Sequence, residues 1–297
     1  MPINNQYSYL IVNADDYGYF DFVSKGILTA AKEGIVTATG VMANSPSLSE
    51  HISWLGAVPE LDVGVHLNLT SGRPLSAEMG KVLVQNEGRK FPDKFSLVKS
   101  IFRGGIKIEH VEVEWRAQID KCIAEGLKIQ FLNSHEHIHM LPELFKLVTL
   151  LAEEYEIDHI RLSSPELFAK FSGSGLVRDS IMSILSLANR KQTKRPMAKF
   201  LGMGQSGKLD LTYLKKCIVK MKRGQVYELM CHPGDYNNEE IESDSLMSYH
   251  AWRGEFDALV DSSIPDFLIE NDVKLISYRD LDLNGNQLNL CGKGGSE

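Results

Sequence analysis

The 297-residue sequence predicts an α/β fold of the (β/α)-barrel kind, and three observations carry that reading. Short apolar, β-branched runs alternate with longer stretches whose apolar residues fall at helical spacing, the mark of parallel βαβ units. Seven or eight strand candidates in about 280 residues suit such a barrel. No G-x-G-x-x-G follows a strand candidate, so the rival open, doubly wound dinucleotide fold lacks its motif.

Taken in order, "YLIV" (9–12) reads as a strand and "FVSKGILTAAKEG" (22–34) as a helix stopped by glycine. "IVTATGVM" (35–42) is a β-branched strand, "PSLSEHISWLG" (46–56) a short helix and "LDVGVHLNLT" (61–70) a strand. Loop signals in "SGRP" and "NEGRKFPDK" mark 71–95 as irregular. "HVEVEWRAQIDKCIAEG" (110–126) is a helix, "IQFLNS" (129–134) a strand, and "LPELFKLVTLLAEEY" (141–155) a helix with Pro142 tolerated in its first turn. The chain continues with strand "DHIRL" (158–162), helix "GLVRDSIMSILSLANR" (175–190), strand "AKFLGM" (198–203) and helix "LTYLKKCIVKM" (211–221). Strand "QVYELMCH" (225–232), a helical stretch over 256–271 and strand "VKLISY" (273–278) complete the set.

A composition of 43% hydrophobic and 24% charged residues fits a globular chain with ample core. The net charge of −7 gives no support to a nucleic-acid or anionic-membrane partner. The basic run "NRKQTKR" (189–195) reads as a solvated loop or helix end. Cysteines 122, 217, 231 and 291 form no C-x-x-C pair, so free thiols in a reducing compartment are expected. "MPINNQYSYLIV" has no signal-peptide pattern and no stretch is long enough to span a membrane, so the expected setting is cytoplasmic.

In parallel α/β folds, chemistry gathers where strands end. Here five strand candidates deliver polar groups to such positions: Asp15 and Asp16, His66, the triplet His135, His137 and His139, Arg161, and His232. Each has a plain structural reading alone: a turn, a hydrogen-bonded core histidine, a strand-end ion pair. Together they read as one site. Asn68 and Thr70 share a face with His66 if the strand continues, suggesting a polar pocket. An extended triplet would point its three imidazoles one way, but alternate residues lie about 6–7 Å apart, too far for all three to share one metal.

Six stretches, "LIVNADDYG", "KEGIVTATGVMAN", "VGVHLNLTSGRPL", "NSHEHIHMLPEL", "IRLSSPE" and "ELMCHPG", run in one order across most of the chain. In that set the sequence resembles the YdjC-like carbohydrate deacetylases, which include chito-oligosaccharide deacetylases. The resemblance implies a single-domain, distorted (β/α) barrel similar to polysaccharide deacetylases, over residues 1–285 with a tail at 286–297. Segments near 71–109 and 163–210 are expected as insertions over the barrel mouth. It implies one divalent metal on Asp16, His66 and His135, with magnesium favoured and zinc or manganese open. It implies Asp15 as base, His232 as general acid and Arg161 as the group orienting the base. His137 and His139 are then candidates either for supporting a ligating histidine or for contacting substrate, and Asn68 for contacting substrate. Tyr17, Glu136 and Gly234–Asp235 depart from the commoner family pattern without touching an implied ligand.

The expected reaction is hydrolysis of an N-acetyl group from a small carbohydrate. The rivals are a phosphoesterase or amidohydrolase of another barrel family, a glycoside hydrolase, which would leave the histidines unexplained, and a non-catalytic sugar binder. The helix at 175–190 reads as core packing, a lid or a dimer surface, so a homodimer stays open.

Overall fold

Ten consecutive buried residues, Ser8–Tyr17, form the first and longest strand (β1), because neighbours pair with it along both edges. The structure is a computed structural model that describes residues 3–166, 174–193, 197–235, 240–241 and 244–281. The other strands are β2 (Ala38–Val41), β3 (Asp62–Leu67), β4 (Ile129–Ser134), β5 (His159–Ile160), β6 (Lys199–Leu201), β7 (Val226–Cys231) and β8 (Val273–Leu275). All pair in parallel in the order β5-β4-β3-β2-β1-β7-β6. β8 joins the first residues of β1, below where β2 begins. The end strands β5 and β6 are not paired with each other among the described residues, so the curled sheet is a barrel open along one seam.

Helices α1 (Asp21–Glu33), α2 (Leu48–Leu55), α3 (Ala77–Val82), α4 (Lys94–Phe102), α5 (Ile108–Ala124) and α6 (Pro142–Glu154) fall in the first half. Helices α7 (Ser174–Arg190), α8 (Leu211–Lys220), α9 (Asp244–Tyr249), α10 (Trp252–Leu259) and α11 (Ile264–Glu270) follow. Their apolar stripes and the outward residues Leu10, Val12 and Ala14 of β1 make the large outer core. The inward residues obey the period of two. Tyr9 and Ile11 join Ala38, Phe131, Ile276 and Tyr278 in a small inner core at the barrel floor. The next inward positions, Asn13 and Asp15 on β1 and Asn133 on β4, are polar and buried. Glycine makes this narrow interior fit: a Cβ on Gly40 would lie 3.2 Å from the His66 ring, and one on Gly64 would lie 2.6 Å from the Phe131 ring.

Three expectations need correction. Residues 71–95 are not irregular throughout: Ser76 caps α3, and Asp93 accepts from Phe95 and Ser96 to start α4. The stretch 256–271 is two helices, parted where Asp261 accepts from Ser263 and where Pro265 begins α11. Helix α7 packs on α6 but leaves Val177, Ile181 and Ile184 exposed, so core packing does not account for all of its apolar residues. Cys122, Cys217 and Cys231 are free and buried. Cys291 and the expected tail at 286–297 lie outside the described residues.

Candidate active site

A cavity of about 530 Å³ opens where the strands end, and its wall includes Asp15, Asp16, His66, His135, His137 and His232. The β1 ladder slips between Ala14 and Tyr17, and Asp16 sits at φ 70°, in the left-handed region. The two aspartates therefore do not point opposite ways, as a regular strand would require. The bulge turns both carboxylates toward His66, Asp15 Oδ1 lying 3.8 Å from its Nδ1 and Asp16 Oδ1 3.2 Å from its Nε2.

One amide fixes the proton positions. A carboxylate only accepts, so the Asn133 amide group donates to Asp15 Oδ1 (2.9 Å) and must turn its carbonyl to His66 Nδ1 (2.7 Å). His66 Nδ1 then carries the proton and donates, leaving the Nε2 lone pair facing Asp16. His135 Nδ1 lies 2.8 Å from the same Asp16 oxygen. Donor atoms of Asp16, His66 and His135 all lie within 4.8 Å of one another. Burial opposes charge on Asp16, yet the His135 imidazole beside it outweighs the burial and holds its carboxyl well below the usual range.

One carboxylate oxygen and two imidazole nitrogens, converging in a buried pocket, suit a divalent cation. The surrounding charge agrees. Four buried carboxylates, Asp15, Asp16, Glu228 and Glu255, gather around a single permanent cation, Arg161, an environment that favours a further positive charge.

Behind Asp15 lies Arg161, just beyond β5 and fully enclosed. Its Nη1 and Nη2 donate to the two Asp15 oxygens at 2.5 and 2.9 Å, and its Nε donates to Glu228 Oε1 at 2.6 Å. Asn13 donates to the same Glu228 oxygen at 3.3 Å. Burial alone would raise the Asp15 pKa, but the guanidinium and nearby imidazoles reverse the effect and lower it. Arg161 does not line the cavity, so its place is to hold Asp15 rather than to meet a substrate.

His232 follows β7, which pairs directly with β1. Its backbone N–H donates to buried Glu255 on α10, whose carboxylate also lies 3.7 Å from ring Nδ1, within ion-pair range but beyond a hydrogen bond. Burial opposes the imidazolium, but Glu255, Asp16 and Asp15 prevail and the pKa rises to about 9.

The histidine triplet is not extended. Residues His135–Met140 form a tight 3₁₀ turn in which Glu136 and His137 have φ 52° and 57°. The turn scatters the three rings. His135 joins the donor set. His137 lines the cavity, lies 3.0 Å from the Ser163 hydroxyl and meets the Phe200 ring edge-on, and burial keeps it neutral. His139 is sealed beneath: its Nε2–H donates to the Arg161 carbonyl (3.0 Å), its Nδ1 accepts from Ser134, and burial lowers its pKa to about 3. The expectation of substrate contact does not suit His139, which braces the ends of β4 and β5. Nor does it suit Asn68: β3 ends at Leu67, and the buried Asn68 side chain accepts from Thr70 and Ser71 and donates to Asn44.

Sequence reasoning missed Asn13, Asn133, Glu228 and Glu255. The first two could have been found two residues before Asp15 and His135, at the same inward register. Glu255 sits in an amphipathic helix that gave no signal.

The YdjC-like protein family model matches residues 9–270. A carbohydrate deacetylase from Geobacillus stearothermophilus is 33% identical, aligned over 92% of this chain and 97% of its own. A chitooligosaccharide deacetylase from Klebsiella pneumoniae is 28% identical, over 92% and 98%. A solved structure from Enterococcus faecalis, described as a candidate cellobiose-phosphate cleavage protein, superposes with a TM-score of 0.71 at 22% identity, over 92% of this chain and 98% of that one.

Proposed function

The chain belongs to the YdjC-like protein family, and on that premise we propose that it is a metal-dependent carbohydrate N-deacetylase. The substrate is an acetylated amino sugar, either a chito-oligosaccharide or a related glycoconjugate, and acetate is released. The observation that carries this reading is the convergence of Asp16, His66 and His135 beside one anionic carboxylate and one protonated imidazole. The relatives' names support the carbohydrate amide as substrate.

We assign Asp16, His66 and His135 as ligands of one divalent cation, with magnesium favoured and zinc or manganese open. Such a cation supplies an acidified water and stabilises the acyl oxyanion. Asp15, held anionic by Arg161, accepts the proton of the attacking water. His232, protonated at neutral pH, gives its proton to the amine nitrogen as the C–N bond breaks. His137 meets the substrate from the wall. Asp93, Lys94, Phe95 and Arg178 also line the cavity, which supports segments 71–109 and 163–210 as the parts that shape its mouth. No helix among the described residues is long and apolar enough to cross a membrane, and we place the protein in the cytoplasm.

The test is acetate release from N-acetylated chito-oligosaccharides, before and after chelation and after return of magnesium, manganese or zinc. Loss on chelation and recovery with one ion are expected, together with loss of cation binding in Asp16→Asn by calorimetry. Phosphate release from esters, or a cut glycosidic bond with the acetyl groups intact, would overturn the reading.

A further inference from the structure

A second cavity lies away from the strand ends. It holds about 660 Å³ between α7 and the end of α8, against β6 and β7, and shares no lining residue with the active-site cavity. Phe200 is the partition, since its ring is in this wall while His137 and Arg161 lie against it at 5.7 and 5.2 Å.

The wall has two kinds of surface. Leu187, Phe200, Leu201 and Tyr227 make it mostly apolar. Arg190, Lys199, Lys220 and Lys222 bring four cationic groups from three separate stretches of chain. None of the four pairs with a carboxylate among the described residues, and Lys199 Nζ rests 5.9 Å over the Tyr227 ring. One carboxylate, Glu166, belongs to the wall and is turned to neutral donors, the Gly202 and Gly204 backbone and the Tyr213 hydroxyl, and not to any of the four cations. In a chain of net charge −7, four cations against one carboxylate give this cavity a surplus of positive charge that attracts an anion.

We propose that this cavity is a second binding site, for a small organic phosphate whose apolar body lies on the Phe200–Tyr227 floor and whose phosphate meets Lys199 and Lys222. The competing account is that the long side chains merely cover an apolar seam with their stems. Binding is read directly, so the proposal stands apart from the reading of the strand-end site.

The experiment is calorimetry on the full chain with phenyl phosphate, using phenol and inorganic phosphate as controls. Expected is saturable one-to-one binding of phenyl phosphate, weakened by salt, with less for inorganic phosphate and none for phenol. Lys199→Met with Lys222→Met keeps the apolar stems and removes both charges. It should lower affinity about tenfold per charge, while acetate release and melting temperature hold. Arg190→Gln carries the same test should the double variant unfold. No saturable binding overturns the proposal. So does binding that survives loss of the lysines but disappears in Asp16→Asn, which would put the phosphate at the strand ends.

Discussion

Asp15 on β1 and His232 just past the neighbouring β7 face one cavity, yet they are held in opposite charge states by different construction. Asp15 is gripped by two guanidinium hydrogen bonds and an amide, all from strand ends of the same sheet layer. His232 depends on Glu255, a residue of a helix packed outside the sheet, at 3.7 Å rather than hydrogen-bond distance. The proposed base is thus part of the barrel's own polar layer, locked by bidentate geometry. The proposed acid owes its raised pKa first to Glu255, and so to how one helix docks. Under the proposed mechanism, the rigid hold falls on the group that must be oriented and the looser one on the group that gives up its proton.

The comparison predicts a ranking. Asp15→Asn is expected to lower kcat by about 10²–10⁴-fold with cation binding retained, as removal of a general base does. Unchanged turnover would dismiss Asp15 as the base. Arg161→Met leaves Asp15 and Glu228 buried without their cation, so a stability loss of about 3–5 kcal/mol is expected in chemical denaturation, along with reduced turnover. A wild-type denaturation midpoint would show that the base side is not locked. Glu255→Gln should act mainly on pH dependence. His232 must be protonated to donate, and its folded pKa is raised to about 9, so kcat should hold through neutral pH and fall as pH rises through about 9. In Glu255→Gln that alkaline limb should move down toward the ordinary imidazole value near 6.5. A limb that stays put removes Glu255 from the account. Least of all, Lys94→Gln breaks a 3.2 Å ion pair with Glu136 at the cavity mouth, where both side chains are partly exposed. About 1 kcal/mol or less is expected, read as a small change in KM.

The same contrast governs what the sequence revealed. The strands, most helices and the polar strand ends were legible, because period-two and helical patterns record burial directly. Asp15, Asp16, His66 and His135 could be grouped because each follows an apolar run. The backbone that joins them was not legible. Alternation in "NSHEHIHM" implied an extended chain, but the left-handed Glu136 and His137 fold it into a turn, which sends His139 into the core and brings only His135 to Asp16. Nothing local marks that choice, since it rests on what Ser134 and the Arg161 carbonyl offer to His139. Glu255 was hidden for a related reason: its partner is 23 residues away and the pairing exists only once α10 has docked.

The backbone of Asp16 has a consequence for how this protein tolerates mutation. An L-residue at φ 70° carries a conformational penalty that glycine would not, roughly 1 kcal/mol. Asp16→Gly would ease that backbone but give up the hydrogen bond between its carboxylate and His135, so the two effects oppose each other in the fold's stability. Screens that reward thermal survival alone should therefore penalise this substitution far less than screens that read acetate release, setting robustness and activity against each other at a single codon.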